Sequence, residues 1–257
     1  MKHTQSSVPE ACRQTLQAVG AIGDFFTLDR PGLGGVPLSQ LVDSPDVYAS
    51  RIGATRHALA RLLDRNPDEL PRRAVASLVF LGISARLVAP TLAAAAVDRL
   101  VPRLLLEDVT AAELADGRLV LRLTRFHDLS HGATTSISEL VALIGQQLIE
   151  GQIGRLVHAF STRDALHPRL LWGNVASTVA SAAKLINQHH PRQSDATVIT
   201  ARLILDRPPL AHCGHLTHDS SGIHYHRVSC CLYYQFPDAG TCGDCPLADS
   251  RLSPTRG

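Results

Sequence analysis

The sequence predicts an α+β protein that is mostly helical, with a small antiparallel sheet in mid-chain and a cysteine-rich C-terminal segment. Three observations lead to this class. Apolar residues recur at helical spacing along most of the first 207 residues, a stretch near residue 120 alternates apolar and charged side chains, and four of the six cysteines lie between positions 230 and 245. Prolines 208 and 209 separate the two parts, so we predict a mostly helical domain over residues 1–207 and a C-terminal segment over residues 208–257.

Three helices are predicted in the first hundred residues, over 11–23, 47–63 and 71–87, because apolar residues there follow helical spacing. Pro71 suits the first turn of the third helix, where a missing N–H costs nothing. The glycine-rich run at 31–37 is predicted to be a loop. A phosphate-binding G-x-G-x-x-G must follow a strand and open a helix, and this run meets a proline instead.

The mid-chain sheet is predicted from alternation. Arg118–Leu123 places its three leucines on one face and its arginines on the other. Asp116-Gly117 just before it is a turn signal, and we expect Leu104–Val109 to be the partner strand.

Three further helices are predicted between this sheet and the proline break. Ser136 and Glu139 form the S-x-x-E pattern of a capping box, and Asp195 is expected to cap the last helix. The predicted ranges are 136–163, 168–190 and 195–206.

Charge and hydropathy exclude two classes of partner. A net charge of +2 and a pI near 8.3 are too mild for a nucleic-acid-binding surface, so we expect no nucleic-acid partner. The most apolar stretch, residues 75–97, is interrupted by Arg86 and Pro90, so we expect a core helix and no transmembrane segment. The N-terminus lacks the apolar core of a secretory signal, which predicts a cytoplasmic protein whose cysteines stay reduced.

The C-terminal cysteines indicate a metal site, because thiolates gathered closely in a cysteine-poor chain are typical ligands of iron or zinc. Cys242-x-x-Cys245 has the spacing of a zinc knuckle, but the adjacent pair Cys230-Cys231 does not. Neighbouring residues in a strand point to opposite faces. Such a pair fits a [2Fe–2S] cluster, which has spatially separate ligand positions, while zinc and disulfides stay open as alternatives.

The spacing Cys230-Cys231-x10-Cys242-x2-Cys245 resembles the [2Fe–2S] motif at the C-terminus of the FhuF-type ferric siderophore reductases. The resemblance covers residues 227–247, with Arg227 before the pair and an aromatic residue after it. A weaker resemblance lies upstream, in Leu171-Trp172-Gly173-Asn174.

The resemblance implies that these four cysteines hold a [2Fe–2S] cluster, that residues 1–207 form a siderophore-reductase-like domain, and that the protein is an oxidoreductase. It would transfer one electron to Fe(III) in a siderophore, so that Fe(II) is released. No flavin or nicotinamide domain is indicated in the sequence, so we expect an external donor, either ferredoxin-like or a flavoprotein reductase. A zinc-stapled binding protein, or a siderophore-binding accessory or iron sensor, are the alternatives.

Several other residues are candidate substrate contacts. His224 and His226 lie in a histidine-rich run before the cysteines, interpreted either as a solvated loop or as a wall of the site that relays protons. Trp172 is a core residue or a stacking surface for a flat ligand. Asn174 and Arg227 are the remaining candidates, the latter as a partner for an anionic iron complex.

Overall fold

The helices form where apolar residues recur at helical spacing. The structure is a computed structural model that describes residues 10–28, 34–114, 119–125 and 135–248. The α-helices are α1 (Glu10–Gly20), α2 (Leu38–Asp43), α3 (Pro45–Leu63), α4 (Arg72–Asp98), α5 (Ile137–Leu143), α6 (Gly154–Asp164), α7 (Pro168–His189) and α8 (Ser194–Leu205). The strands are β1 (Val36–Pro37), β2 (Val109–Glu113), β3 (Leu119–Leu123), β4 (Gly214–Asp219) and β5 (Gly222–Arg227). The predicted class, mostly helical with a small antiparallel sheet, is confirmed.

The core is organised around α4 and α7, which pack against each other. Helix α4 continues past Pro90 to Asp98, whereas the sequence predicted an end near residue 87. A proline inside a helix costs about 3 kcal/mol. Every residue from 87 to 96 is buried, and this burial outweighs that cost.

Helix α4 is also long and apolar enough to cross a bilayer by length and composition. However, 72% of its most apolar window is buried inside the fold, as in the core helix that the sequence predicted.

The mid-chain sheet has the antiparallel order β1-β2-β3. Strand β3 is where the alternation predicted it, although Arg118 and the Asp116-Gly117 turn lie outside the described residues. The expected partner Leu104–Val109 was wrong, because β3 pairs with Val109–Glu113. Hydrogen bonds from the N–H groups of Asp108 and Val109 to the Leu105 carbonyl close a turn there, so its leucines reach the core without forming a strand. Strand β1 occupies the last two residues of the run at 31–37 that was predicted to be a loop, and it pairs with β2; residues 31–33 lie outside the described residues.

The two helices after the sheet also refine the prediction. The capping box of Ser136 and Glu139 is present, and a π-helical segment, Ile144–Ile153, continues α5 directly into α6. The prediction that Asp195 caps α8 was wrong. The helix already begins at Ser194, and Asp195 lies in its first turn. A carboxylate there still interacts favourably with the helix dipole.

Beyond the prolines, β4 and β5 form a hairpin that pairs Gly214 with Arg227 and His215 with His226. The interpretation of the histidine-rich run as a loop was therefore wrong, although most of its histidines are exposed. Ile223 and Phe236 are buried in the same apolar core as the helices. Residues 208–248 are therefore packed against the helical part.

A buried carboxylate joins the first and second halves of the helical part. Asp164 accepts hydrogen bonds from the Tyr48 hydroxyl at 2.7 Å and from the Arg72 Nε at 2.6 Å. Burial, with the hydrogen bond to Asp164, raises the pKa of Tyr48 far above its usual value, so this hydroxyl stays a donor.

We expect Tyr48→Phe to lower the free energy of unfolding by about 1–3 kcal/mol, because the buried Asp164 carboxylate loses one of its donors. Urea denaturation measures this. Tyr233→Phe is the control, since Tyr233 is 39% exposed and its change should stay within about 0.5 kcal/mol. Equal effects of the two substitutions would contradict the assignment.

Candidate metal centre

The hairpin delivers the first two cysteines. Cys230 and Cys231 follow the end of β5, and Leu232 then adopts a left-handed conformation with φ of 68° that turns the chain away. Cys242 and Cys245 come from the next loop, which returns to β5 through a hydrogen bond from the Arg227 N–H to the Asp244 carbonyl at 3.2 Å. Two separate loops thus carry the four thiols, and they bring Cys231 and Cys242 into contact.

The four thiols have different surroundings. Cys231 and Cys245 are buried, while Cys230 and Cys242 are partly exposed. The Sγ atoms of Cys231 and Cys242 lie 3.4 Å apart and share a hydrogen bond. Backbone N–H groups also donate to sulfur, from Leu232 to Cys230 and from Leu247 to Cys245, both at 3.4 Å. Such N–H···S bonds stabilise negative charge on a sulfur ligand.

The shared hydrogen bond makes one thiol of the pair the more acidic. It lowers the pKa of Cys231 to about 6, and it raises the pKa of Cys242. Burial raises the pKa of Cys230. The thiolate is the form that binds metal, so within this pair Cys231 is closer to its ligand form than Cys242.

Arg227 holds the cysteine loops against α7. Its side chain is 1% exposed. Its Nη2 donates to the Asn174 Oδ1 at 2.8 Å and contacts the Leu170 carbonyl at 3.5 Å, and its Nε donates to the carbonyl of Ser229. The residue before the cysteine pair is therefore bound to the first half of α7.

A second chain of hydrogen bonds connects the same residues to α4. The Asn174 amide donates to the Ser77 Oγ at 3.0 Å, and the Ser77 hydroxyl donates to the Cys231 carbonyl at 2.8 Å. Asn174 is fully buried, and its amide thus joins Arg227 to α4. On the other loop, the Ser177 hydroxyl of α7 donates to the Asp244 carboxylate.

Gly173 makes this close approach possible. A Cβ at this position would collide with the Ser229 Oγ and lie 3.0 Å from the Arg227 Nη2. The small residue between Trp172 and Asn174 is therefore required by packing against the cysteine segment.

The guanidinium of Arg227 carries a positive charge in the interior of the fold. No Asp or Glu in the part of the chain that the structure describes forms an ion pair with it. A buried cation is costly unless negative charge lies nearby. Cysteine thiolates supply such charge.

A groove of about 310 Å³ leads to two of the cysteines. It lies between α4 and α7 and is mainly apolar, and Cys231, Cys242, Arg227 and Asp244 line one end. A ligand in this groove would contact the cysteine loops from the inside of the fold.

The residues predicted to contact substrate lie in different surroundings in the structure. Arg227 lines the groove, but the Asn174 amide and the Arg227 guanidinium are hydrogen-bonded within the protein. Trp172 is partly buried against the core. His224 and His226 lie exposed on the hairpin, and His224 contacts the Ser221 hydroxyl at 2.8 Å.

Sequence reasoning missed Ser77, Ser177 and Asp244. Among the residues that fix the cysteine loops to the helices, Gly173 and Asn174 had been indicated by the weaker resemblance at Leu171-Trp172-Gly173-Asn174. Serines on a helix have no pattern that reveals a partner 154 positions away, as Ser77 has in Cys231.

The donor set fits a dinuclear cluster. Four thiols from two loops, two N–H···S bonds and a buried cation match the needs of an anionic cluster whose two irons each take two sulfurs. Among residues 10–28, 34–114, 119–125 and 135–248, no three His, Cys, Asp or Glu side chains are placed to hold a single metal ion.

Comparison with known proteins agrees with this geometry. A family model described as the FhuF 2Fe-2S C-terminal domain matches residues 227–247. The match supports a protein of the FhuF type and a [2Fe–2S] cluster, as the sequence resemblance implied. No curated protein matches the chain.

We expect Cys→Ser at position 230, 231, 242 or 245 to remove the visible charge-transfer absorption, because each change deletes a sulfur ligand. Absorption and EPR spectra of anaerobically purified, singly reduced protein measure this. Cys213→Ser is the matched control, since the Cys213 thiol is hydrogen-bonded to the Pro209 carbonyl at 3.8 Å. Colourless wild-type protein with one zinc per chain would exclude the cluster.

We expect Gly173→Ala to shorten the time for which the cluster stays bound, because the new methyl group displaces Ser229 or Arg227. Loss of visible absorbance in the presence of an iron chelator measures this. Gly53→Ala in α3 meets nothing within 4 Å, so it should leave cluster retention unchanged and stabilise the helix by up to about 1 kcal/mol. Equal retention in both variants would contradict the packing role of Gly173.

Proposed function

We propose that this iron–sulfur protein is a cytoplasmic ferric siderophore reductase. The observation that carries the proposal is the groove between α4 and α7, which reaches Cys231 and Cys242. A ferric complex at that end of the groove lies against two cluster ligands. The family match supports the iron–sulfur part and a siderophore-related redox role.

The reaction balances with one electron. When bound, the [2Fe–2S] group supplies one electron at a time. The external donor loses this electron and Fe(III) in the siderophore gains it. Hard oxygen ligands bind Fe(II) less tightly than Fe(III), so the metal is then released.

The chain contributes positioning and electrostatics. Arg227 places positive charge beside the thiolates and fixes the loops to α7, while Ser77 fixes the Cys231 carbonyl to α4. The walls of the groove beside Cys231 and Cys242 are mainly apolar. In this proposal Asn174 and Arg227 are positioning residues and not substrate contacts.

The outer side of the cysteine segment is the proposed approach for a ferredoxin-like or flavoprotein donor. Val228, Tyr233 and Tyr234 flank Cys230 and are each about 40% exposed. Exposed apolar residues beside a partly exposed thiol are typical of a docking surface. In this proposal the donor docks at Val228, Tyr233 and Tyr234, and the siderophore enters the groove.

The direct test mixes anaerobically reduced protein with a ferric trihydroxamate complex and a ferrous chelator. We expect one ferrous chelate per reoxidised protein, followed by absorbance. Cys242→Ser protein, which should lack the cluster, is the control. A reduced protein that binds the complex without forming ferrous chelate would instead be an accessory or a sensor.

The exposed histidines provide a further test. If His224 and His226 relay protons during release of the siderophore, His226→Ala should slow ferrous release several-fold without removing the visible absorption. Stopped-flow absorbance at several pH values measures both quantities. His57→Ala on α3 is the control. An unchanged rate would leave the hairpin histidines without a role in the reaction.

A further inference from the structure

Two arginines border the cysteine segment where α6 ends and α7 begins. Arg169 lies in the first turn of α7, and its carbonyl accepts a hydrogen bond from the Ser229 hydroxyl at 3.1 Å. On α4, the Arg73 Nη2 donates to the Ala165 carbonyl at 3.0 Å, just before α7. Both arginine residues are exposed. Two cations are thus held at the corner of the fold to which Ser229 is bonded, next to Cys230 in the chain.

The carboxylates of this region are bonded within the protein. Asp164 is buried and accepts hydrogen bonds from a tyrosine and an arginine. In the cysteine segment, Asp238 forms an ion pair at 2.8 Å with the arginine just after α3, and Asp244 accepts a hydrogen bond from a serine of α7. Within the ranges that the structure describes, no carboxylate forms an ion pair with Arg73 or Arg169. These two charges are therefore uncompensated there.

The charge of Arg169 acts on the cysteine segment. Burial raises the pKa of Cys213, and the positive charges of Arg227 and Arg169 oppose this rise. The Cys213 carbonyl accepts a hydrogen bond from the Val228 N–H at 2.9 Å. The field of Arg169 therefore reaches the stretch of chain that leads into the cysteine pair.

The surface beside these cations is apolar at its centre. Val228, Tyr233 and Tyr234 are each about 40% exposed, and Cys230 is partly exposed. An apolar centre with charges at its rim is the usual anatomy of a protein interface, and the rim charges select a partner of opposite sign. A protein whose own rim is acidic complements this surface.

An anionic membrane is the other acidic surface that a basic patch attracts. Each basic side chain near such a surface contributes about 1 kcal/mol, and lipid-binding clusters hold about four to eight of them. Two arginines contribute about 2 kcal/mol, which is too little to hold the protein on a bilayer. A protein partner needs less, because a brief encounter is sufficient to transfer one electron. The observations therefore favour a protein.

We propose that Arg73 and Arg169, around Val228, Tyr233 and Tyr234, dock an acidic protein that carries one electron. This inference rests on the proposed function, because it names the chemistry of the donor to the same centre. The carrier loses one electron and the centre gains it, and no bond forms or breaks. Attraction between opposite charges speeds the encounter by about 10- to 1,000-fold. Exposed ion pairs contribute only about 0–1 kcal/mol each, so the two proteins also separate readily.

The first test measures how fast an acidic flavodoxin, reduced to its hydroquinone, reduces the cluster-loaded protein. Stopped-flow absorbance of the flavin semiquinone gives the second-order rate. At low ionic strength we expect Arg73→Glu and Arg169→Glu each to lower this rate at least about threefold, because each replaces an attraction with a repulsion. Arg192→Glu changes the net charge equally but lies beyond the other end of α7, about 30 Å away, so it should change the rate less than about twofold.

Salt separates the effect of charge from that of shape. At about 1 M salt the Debye length is about 3 Å, so the wild-type rate should fall and the rates of all variants should agree within about twofold. Visible absorbance and circular dichroism check that each variant holds its cluster and its fold. Equal rates for Arg169→Glu and Arg192→Glu at low salt, or a difference that persists at high salt, overturn the proposal.

A second test maps the contact and needs no electron transfer. The chain has two lysines, Lys2 and Lys184, so an added lysine amine is easily identified. Arg169→Lys keeps the positive charge, and a carbodiimide couples its amine to a carboxylate in contact with it. Mass spectrometry should find residue 169 joined to an acidic residue of flavodoxin at least about fivefold more often than residue 192 in Arg192→Lys protein. Equal coupling at the two positions overturns the proposal.

Vesicles of phosphatidylserine and phosphatidylcholine test the membrane. We expect the wild-type protein to stay in the supernatant when these vesicles are sedimented. Sedimentation of the wild-type protein with the vesicles, lost in the double variant Arg73→Glu/Arg169→Glu, would assign the surface to lipid and overturn the proposal.

Chemical reduction distinguishes the docking surface from the reductase activity, because dithionite reduces the centre without a protein donor. If dithionite-reduced protein forms ferrous chelate from a ferric trihydroxamate but electron transfer from flavodoxin does not depend on the two arginines, the docking surface fails and the reductase stands. If transfer from flavodoxin depends on them but no ferrous chelate forms, the reductase fails and the docking surface stands.

Discussion

The buried guanidinium of Arg227 is the constraint on which the rest of the site depends. Removing a cation from water costs several kcal/mol, and the groups that accept its hydrogen bonds are neutral oxygens of Leu170, Asn174 and Ser229. Such a charge persists in the interior when negative charge lies close by. The cysteine thiolates of a bound cluster provide it, so cluster binding and the packing of this segment stabilise each other.

This coupling explains why the cysteine segment is part of the core. The hairpin and the loop after it contribute Ile223 and Phe236 to the same apolar cluster as the helices. Helices α4 and α7 have two roles. Ser77 and Asn174 position the cysteine loops, and neighbouring residues on the same two helices line the groove. A ligand channel and a redox centre thus share one helix interface, and this places a bound ligand beside the cysteines without a separate binding domain.

Errors in the sequence-based fold have identifiable physical causes. The apolar run at Leu104–Val109 satisfied the pattern of a strand, but a turn at Leu105 buries the same leucines, and periodicity does not distinguish the two. Pro90 suggested that α4 had ended, yet its burial and that of its neighbours keep the helix intact. In the histidine-rich run, Ile223 and Tyr225 alternate with His224 and His226, but this pattern is short, and only the pairing of β4 with β5 reveals the hairpin.

The sequence by itself determined the helical class, most helix positions and the four-cysteine motif, because periodicity and ligand spacing are local properties of the chain. The tertiary structure decided what the other site residues do. It buried Arg227 and Asn174 as a hydrogen-bonded pair, required a glycine at 173, and formed the groove from side chains about a hundred positions apart. These roles depend on contacts between distant segments, and no spacing along the chain encodes a contact that exists only after α4, α7 and β5 have packed together.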